Sequence, residues 1–155
     1  MIKKFEAALY VAALAILGVL LITEGRHTTE LLAKQPVTPK QLMAQLGNPQ
    51  LKLQVVDARA YDDDHFLDAH VPGSIPMPGC DPAQAPEAAR DRAYPYVATV
   101  IVTDDGNAAA FEACKARFGN VRLLAGGFTA WSDASLPEDT GDYSPPKNAA
   151  GGGCL

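Results

Sequence analysis

The sequence predicts an α/β domain, a small parallel sheet flanked by helices on both faces, plus one N-terminal transmembrane helix. Three observations predict it. Apolar, β-branched runs at residues 51–57, 97–103 and 121–124 alternate with stretches of helical period. The runs end at junctions rich in Asp, Gly or Asn. Residues 5–23 are almost wholly apolar, with Glu6 the only charge. Strands alternating with helices in this way build parallel βα units.

The bulk numbers narrow the function. The chain has 155 residues, room for one domain and an anchor or tail. Its net charge is −5, and no basic cluster lies in the polar part, which argues against nucleic acid. Cys80, Cys114 and Cys154 form no CxxC or zinc spacing, and His27, His65 and His70 lie next to none of them. No metal and no cofactor is called for.

Residues 1–24 are expected to form the anchor. Nineteen helical residues at 1.5 Å rise span roughly 28 Å, close to the hydrocarbon thickness of a bilayer. The rival is a cleaved signal peptide, but its apolar core is shorter and ends in small residues. Here the run ends Leu20-Leu21-Ile22-Thr23-Glu24. Lys3 and Lys4 hold the N-terminus in the cytoplasm, so the remainder lies in the periplasm or an equivalent lumen. Arg26 and Lys34 weaken that bias slightly. Gly18, Ala8, Ala12 and Ala15 offer small residues for packing against other membrane helices.

Residues 25–37 read as a linker. Thr38-Pro39 looks like an N-cap followed by proline at the first helical position, opening a helix over 39–46. Residues 51–57 alternate and then become fully apolar, a strand entering the sheet centre. A helix is expected over 60–67, with Tyr61 and Phe66 inward and Asp62, Asp63 and Asp64 in its first turn. Residues 69–76 form a turn and a short strand. Residues 77–94 are a loop with one helical turn near 86–92. A buried strand over 97–103 follows, then a helix over 107–118 with Ala108, Phe111, Cys114 and Phe118 on one face. Residues 121–124 form a short strand, and a last helix ends near Trp131, a core residue. The domain is expected to close at 136. The Gly/Pro/Ala-rich tail, 137–155, is either disordered or laid against a partner.

The junction Thr103-Asp104-Asp105-Gly106-Asn107-Ala108 stands where ligands bind in parallel sheets, beyond the carboxyl end of a strand. Successive backbone N–H groups and a helix start favour anions there. Yet the loop carries two carboxylates and no Cys, His, Lys or Arg.

Specific residues now point to a family. From about residue 38 to residue 131 the chain resembles the rhodanese-like domain family. The landmarks are Val55-Val56-Asp57-Ala58-Arg59, then Tyr61 to Phe66, then His70-Val71-Pro72-Gly73-Ser74-Ile75-Pro76, then Val100-Ile101-Val102 with Gly106-Asn107, and finally the run from Leu123 through Ala125-Gly126-Gly127-Phe128 to Trp131. The resemblance implies a loop of form C-x-x-G-x-R, whose amides cradle a persulfide or a substrate anion. Matching Gly106 to the loop glycine puts Thr103 at the cysteine and Ala108 at the arginine. Sulfur transfer needs a thiolate, which Thr103 does not supply. Asp104 and Asp105 would repel a thiosulfate-like dianion by a few kcal/mol at an effective dielectric of about 20. The resemblance is therefore to a degenerate member, with no catalytic residue in the loop.

Other residues carry competing readings. Cys80 is a persulfide carrier, an idle thiol or half of a Cys80–Cys154 disulfide; Cys114 is a small core residue. Asp57 and Arg59 brace the carboxyl edge of the sheet, and His70 is a hydrogen-bonded turn residue. Asp62-Asp63-Asp64-His65 is a solvated helix start rather than a cation site. The function expected is a membrane-anchored, catalytically inactive accessory subunit, joined to an integral-membrane protein complex through its anchor and tail. The alternatives are a periplasmic sulfurtransferase using Cys80 and a sensor that keeps the pocket without the chemistry.

Overall fold

The computed structural model describes residues 35–145. The expected span at 5–23 and Cys154 lie outside them. Among the described residues no helix is long and apolar enough to cross a membrane.

Four parallel strands form the sheet: β1 (Leu53–Asp57), β2 (Ile75–Pro76), β3 (Ala98–Val102) and β4 (Val121–Leu123), in the order β2-β1-β3-β4. The central pair runs in register from Leu53 opposite Ala98 to Asp57 opposite Val102. Beyond β4, Val37 adds a parallel bridge to Leu124, donating to the Leu123 carbonyl at 2.8 Å and accepting from Ala125 at 2.8 Å. The last residue of the expected linker thus belongs to the sheet.

Alternation along β1 and β3 divides the core in two. Val55, Val100 and Val102 face one side, where they pack with Leu42, Leu124 and Trp131. Val56 and Ile101 face the other, with Phe66, Met77, Cys80, Cys114 and Phe118. Successive strand side chains point to opposite faces, so a strand buried on both reads as a continuous apolar run. Helix α1 (Pro39–Leu46) and helix α3 (Gly127–Asp133) supply the first layer, and helix α2 (Ala108–Lys115) the second. Helices on both faces are therefore observed, as expected.

Local rules account for the helix starts. Thr38 and Gln41 form a reciprocal capping box ahead of Pro39. Asn107 caps α2 by accepting from the Ala109 amide at 2.8 Å.

Two expectations are corrected. Residues 60–67 form a run of turns, not a helix. The Asp62 carboxylate accepts from the Asp64 amide at 3.2 Å and meets the His65 ring at 2.7 Å, while the Phe66 amide donates back to Ala60 at 3.2 Å. A side chain that caps its own backbone competes with helical pairing. Phe66 is buried nonetheless. Second, the fold does not close at 136. The Trp131 indole donates to the Pro137 carbonyl at 2.9 Å, Gly141 donates to Leu67 at 2.7 Å, and Tyr143 joins the core. The first nine residues of the expected tail, up to 145, are laid against their own domain.

Candidate functional site

The loop from Thr103 to Asn107 leaves the carboxyl end of β3 and enters α2. It is held from below by the start of α3. The Thr103 carbonyl accepts from Phe128 at 2.7 Å, and the Asp104 carbonyl accepts from both the Thr129 amide, at 3.0 Å, and the Thr129 hydroxyl, at 2.9 Å. This approach requires glycine. Gly127 has φ +61°, and a Cβ there would run into the Thr103 carbonyl and lie 2.5 Å from the Gly106 nitrogen. Gly106 has φ +81°, and its Cβ would lie 2.8 Å from the Gly126 nitrogen. Two glycine-dependent backbones thus pack face to face. The doublet Gly126-Gly127, quoted above as part of a landmark run, is the sequence signal for this contact.

Two amides of the loop are turned on its own side chains. Gly106 N–H donates to the Thr103 hydroxyl at 3.0 Å, and Asn107 N–H donates to the Asp105 carboxylate at 2.9 Å. With the Ala109 amide bonded to Asn107, three acceptors, on Thr103, Asp105 and Asn107, are side chains of the loop. Thr103 itself is buried, at 4% exposure. Asp104 and Asp105 are exposed. In charge terms, Asp105 already supplies the anion that such a turn attracts.

Asp57 and Arg59 brace the adjoining edge, as the sequence suggested. Arg59 Nη2 meets Asp57 Oδ2 at 2.7 Å, Arg59 Nε donates to Oδ1 at 3.0 Å, and the Arg59 amide donates to the same oxygen at 3.1 Å. The guanidinium also donates to the Ala69 carbonyl at 2.8 Å and lies 3.9 Å over the Phe128 ring. Both side chains are buried. Burial pushes the Asp57 carboxyl up from its ordinary range, and the hydrogen bonds and charge of Arg59 oppose the shift. Phe128, given no role at the site by the sequence beyond its place in a landmark run, ties this pair to the helix that supports the loop.

His65 lies at the loop's rim. Its Nδ1 meets Asp62 at 2.7 Å, and its Nε2 lies 4.0 Å from Asp104. The Asp62 hydrogen bond raises the His65 pKa, and the same bond lowers that of Asp62. His70 is buried in its turn, bonded through Nδ1 to the Phe66 carbonyl at 2.8 Å and stacked on the Phe66 ring at 3.9 Å. Among the described residues no group of three His, Cys, Asp or Glu side chains is placed to hold a metal.

The cysteine expectations need correction. Cys80 is bonded to Cys114, not to Cys154, with Cα atoms 5.2 Å apart. Cys80 ends a 3-10 turn (Pro78–Cys80) with φ +59°, and Cys114 lies on the inward face of α2, which packs on that turn. An apolar helix position suits a half-cystine as well as a free core thiol, so periodicity alone hid the pairing. A persulfide carrier needs a thiolate, and neither bonded sulfur supplies one.

Residues 38–134 match the model of a family described as Rhodanese-like domain. Similar solved structures include a thiosulfate sulfurtransferase from Pseudomonas aeruginosa, 28% identical with a TM-score of 0.54 over 70% of this chain. The chain spans only 20% of that enzyme's length. A Bacillus halodurans protein is 19% identical with a TM-score of 0.57, covering 76% of this chain and 85% of its own. A Lactobacillus plantarum protein is 21% identical with a TM-score of 0.54, covering 76% and 97%. At those identities the last two show the shared fold. No curated protein matches the sequence.

Proposed function

The chain belongs to the rhodanese-like domain family, and from that premise we propose that it is a catalytically inactive rhodanese-like module, anchored in a membrane by residues 5–23 and serving as an accessory subunit of an integral-membrane protein complex. The observation that carries the loss of sulfur transfer is a loop that turns two of its own amides on its side chains and holds no sulfur or cation. The Gly106 and Asn107 amides are bonded to Thr103 and Asp105, the Thr103 position has no sulfur, and no cation stands in the loop. A substrate dianion would have to displace Asp105 and then lie beside it.

The Cys80–Cys114 disulfide supports an oxidising compartment, in keeping with a periplasmic domain behind a cytoplasmic Lys3-Lys4 end. It also opposes the enzyme alternative, because Cys80 would have to be reduced before it could carry sulfur.

Two measurements test the reading. Thiosulfate:cyanide transferase activity of the full chain in detergent should not exceed the uncatalysed rate, with and without reductant. Mild-detergent purification should recover a larger membrane complex. Robust transfer lost in Cys80→Ser would overturn the inactive assignment, and a lone monomer under several gentle conditions would overturn the subunit assignment.

A further inference from the structure

Strand β1 has one flank that is only partly covered. β3 pairs with the whole of Leu53–Asp57, whereas β2 pairs with Val56 and Asp57 alone. Pairing stops there because the chain ahead of β2 turns away. Ser74 N–H donates to the Val71 carbonyl at 3.0 Å, and Gly73 takes φ +71°. A Cβ at Gly73 would meet nothing within 4 Å, so open space borders this turn. Leu53, Gln54 and Val55 are left with a strand neighbour on one side only.

Beside that flank lies a cleft of about 270 Å³, lined by Leu53, Gln54 and Val55 together with Gly73. Successive strand side chains point to opposite faces, so a cleft touched by three in a row lies along the edge of the strand. Its walls come from both core layers. Leu46, at the end of α1, packs with Leu53 in one layer, and Ile75 and Tyr143 belong to the other. Tyr94 is fixed beside the strand by Gln54, whose side-chain amide donates to the Tyr94 carbonyl at 2.8 Å and accepts from the Tyr94 N–H at 3.0 Å. The cleft is thus a preformed slot with a strand edge at its floor.

Two further features say what fits the slot. Large apolar side chains are left exposed at this end of the sheet: Tyr94 on the cleft itself, Leu51 just ahead of β1 and Tyr96 just ahead of β3. Exposed apolar side chains gathered round a groove mark a protein interface. The second feature is charge. Arg92 is the one charged residue of the lining, and among the described residues its guanidinium has no carboxylate or hydrogen-bond partner. Its charge is felt at the Tyr143 hydroxyl, also of the lining, where it opposes the upward shift imposed by burial. A lone cation on an apolar slot favours an occupant that brings a carboxylate.

We propose that this slot receives an extended peptide segment of a partner protein, which adds to the free flank of β1 along Leu53–Val55, sets an apolar side chain against Leu46 and Tyr94, and presents a carboxylate to Arg92. Strand addition of this kind takes its affinity from main-chain hydrogen bonds and its specificity from pockets for alternate side chains. The slot lies toward the amino-terminal end of β1, and the Thr103 loop beyond the carboxyl end of β3, so the proposal is independent of the inactive-loop reading.

The test uses the isotope-labelled full chain in detergent, following the amide resonances of Gln54, Val55 and Gly73. The probes are blocked tetrapeptides, acetyl-Xaa-Glu-Val-Thr-amide with leucine, valine or phenylalanine in first place. Their glutamine counterparts remove the charge, and hexanoate offers a carboxylate without a peptide backbone. Saturable shifts from a glutamate peptide are expected, with binding about threefold weaker for its glutamine counterpart. Arg92→Gln should abolish that difference and leave the glutamine peptide's affinity unchanged. Two analogues of the tightest peptide, each N-methylated at a different alternate set of amides, read the main chain. In strand addition one set faces β1 and the other faces away, so one analogue should bind about fivefold more weakly and the other nearly as well as the parent. Equal effects of the two analogues, a preference for glutamate that survives Arg92→Gln, hexanoate binding as tightly as the peptides, or no saturable shift from any peptide at millimolar concentration would each overturn the proposal.

Discussion

The Gly127 backbone lies so close to the Thr103 carbonyl that even a methyl group cannot enter between them. Gly127→Ala should therefore cost far more than a glycine substitution at an open turn. The left-handed φ of +61° costs about 1–2 kcal/mol for an L-residue, and the collision adds about 1–3 kcal/mol. Gly73 has φ +71° and Gly141 has φ +80°, with nothing near either Cβ position, so alanine there should cost only the backbone part. Urea unfolding of the three variants checks the order. Equal losses at 127 and 73 would mean that the loop and α3 do not pack in this way.

The Cys80–Cys114 bond closes a loop with a sequence separation of 34. Closure of that length removes about 3–4 kcal/mol of chain entropy from the unfolded state. Cys114→Ser should lower unfolding stability by that order, and reductant should lower the wild type equally. A maleimide probe applied to unreduced, denatured protein should label one thiol, at Cys154. Labelling of all three cysteines without reductant would contradict the pairing.

Arg59 is the partner that makes Asp57 tolerable inside the protein. Arg59→Met removes the counter-charge and leaves a buried carboxyl facing apolar surroundings, a change that costs about 3–5 kcal/mol. The sign with pH follows from the direction of the shift. A carboxyl whose folded pKa is raised binds its proton more tightly in the fold, so its contribution is present at low pH and lost as pH rises through the folded value. Arg59→Met should raise that value further, and its stability defect should be smallest in acid and grow toward neutrality. A defect independent of pH would show that packing on Phe128, rather than the charge, is what Arg59 supplies.

These residues also show how far the sequence could be read. The apolar runs that became β1 and β3 were legible because a strand buried on both faces has little freedom of composition. The Thr38 cap, the Asn107 start and the bracing by Asp57 and Arg59 were legible because each acts within a few residues. Residues 60–67 failed because Asp62 satisfied its own turn, which composition does not distinguish from a helix start. The partner of Cys80 was not legible, because it depends on what lies across the fold. The spacing of Gly106 from Thr103 located the loop, but only its hydrogen bonds revealed that the carboxylate of Asp105 occupies an amide.

His65 should titrate above its ordinary value of 6.5, since the Asp62 hydrogen bond favours the imidazolium. The contact is fully present below 6.5 and lost as pH rises through the raised value. At the acid end it requires the Asp62 carboxylate, whose pKa is lowered from 3.8, so it is lost as pH falls through that lowered value. Proton NMR of the ring should give a raised midpoint that falls in Asp62→Asn. A midpoint unchanged by that substitution would assign the shift to another neighbour.

Restoring sulfur to the loop should not by itself restore its chemistry. In Thr103→Cys the new thiol would stand where the hydroxyl now accepts from Gly106, beside two carboxylates that disfavour its thiolate. Thiosulfate:cyanide transfer should stay undetectable in that single variant. Adding Asp105→Ser frees the Asn107 amide, and adding Ala108→Arg supplies the missing cation, so the triple variant should give measurable turnover and a lowered thiol pKa in alkylation kinetics. Activity in Thr103→Cys alone, equal to that of the triple variant, would show that the carboxylates and the occupied amides are no barrier, and that one missing sulfur accounts for the whole loss.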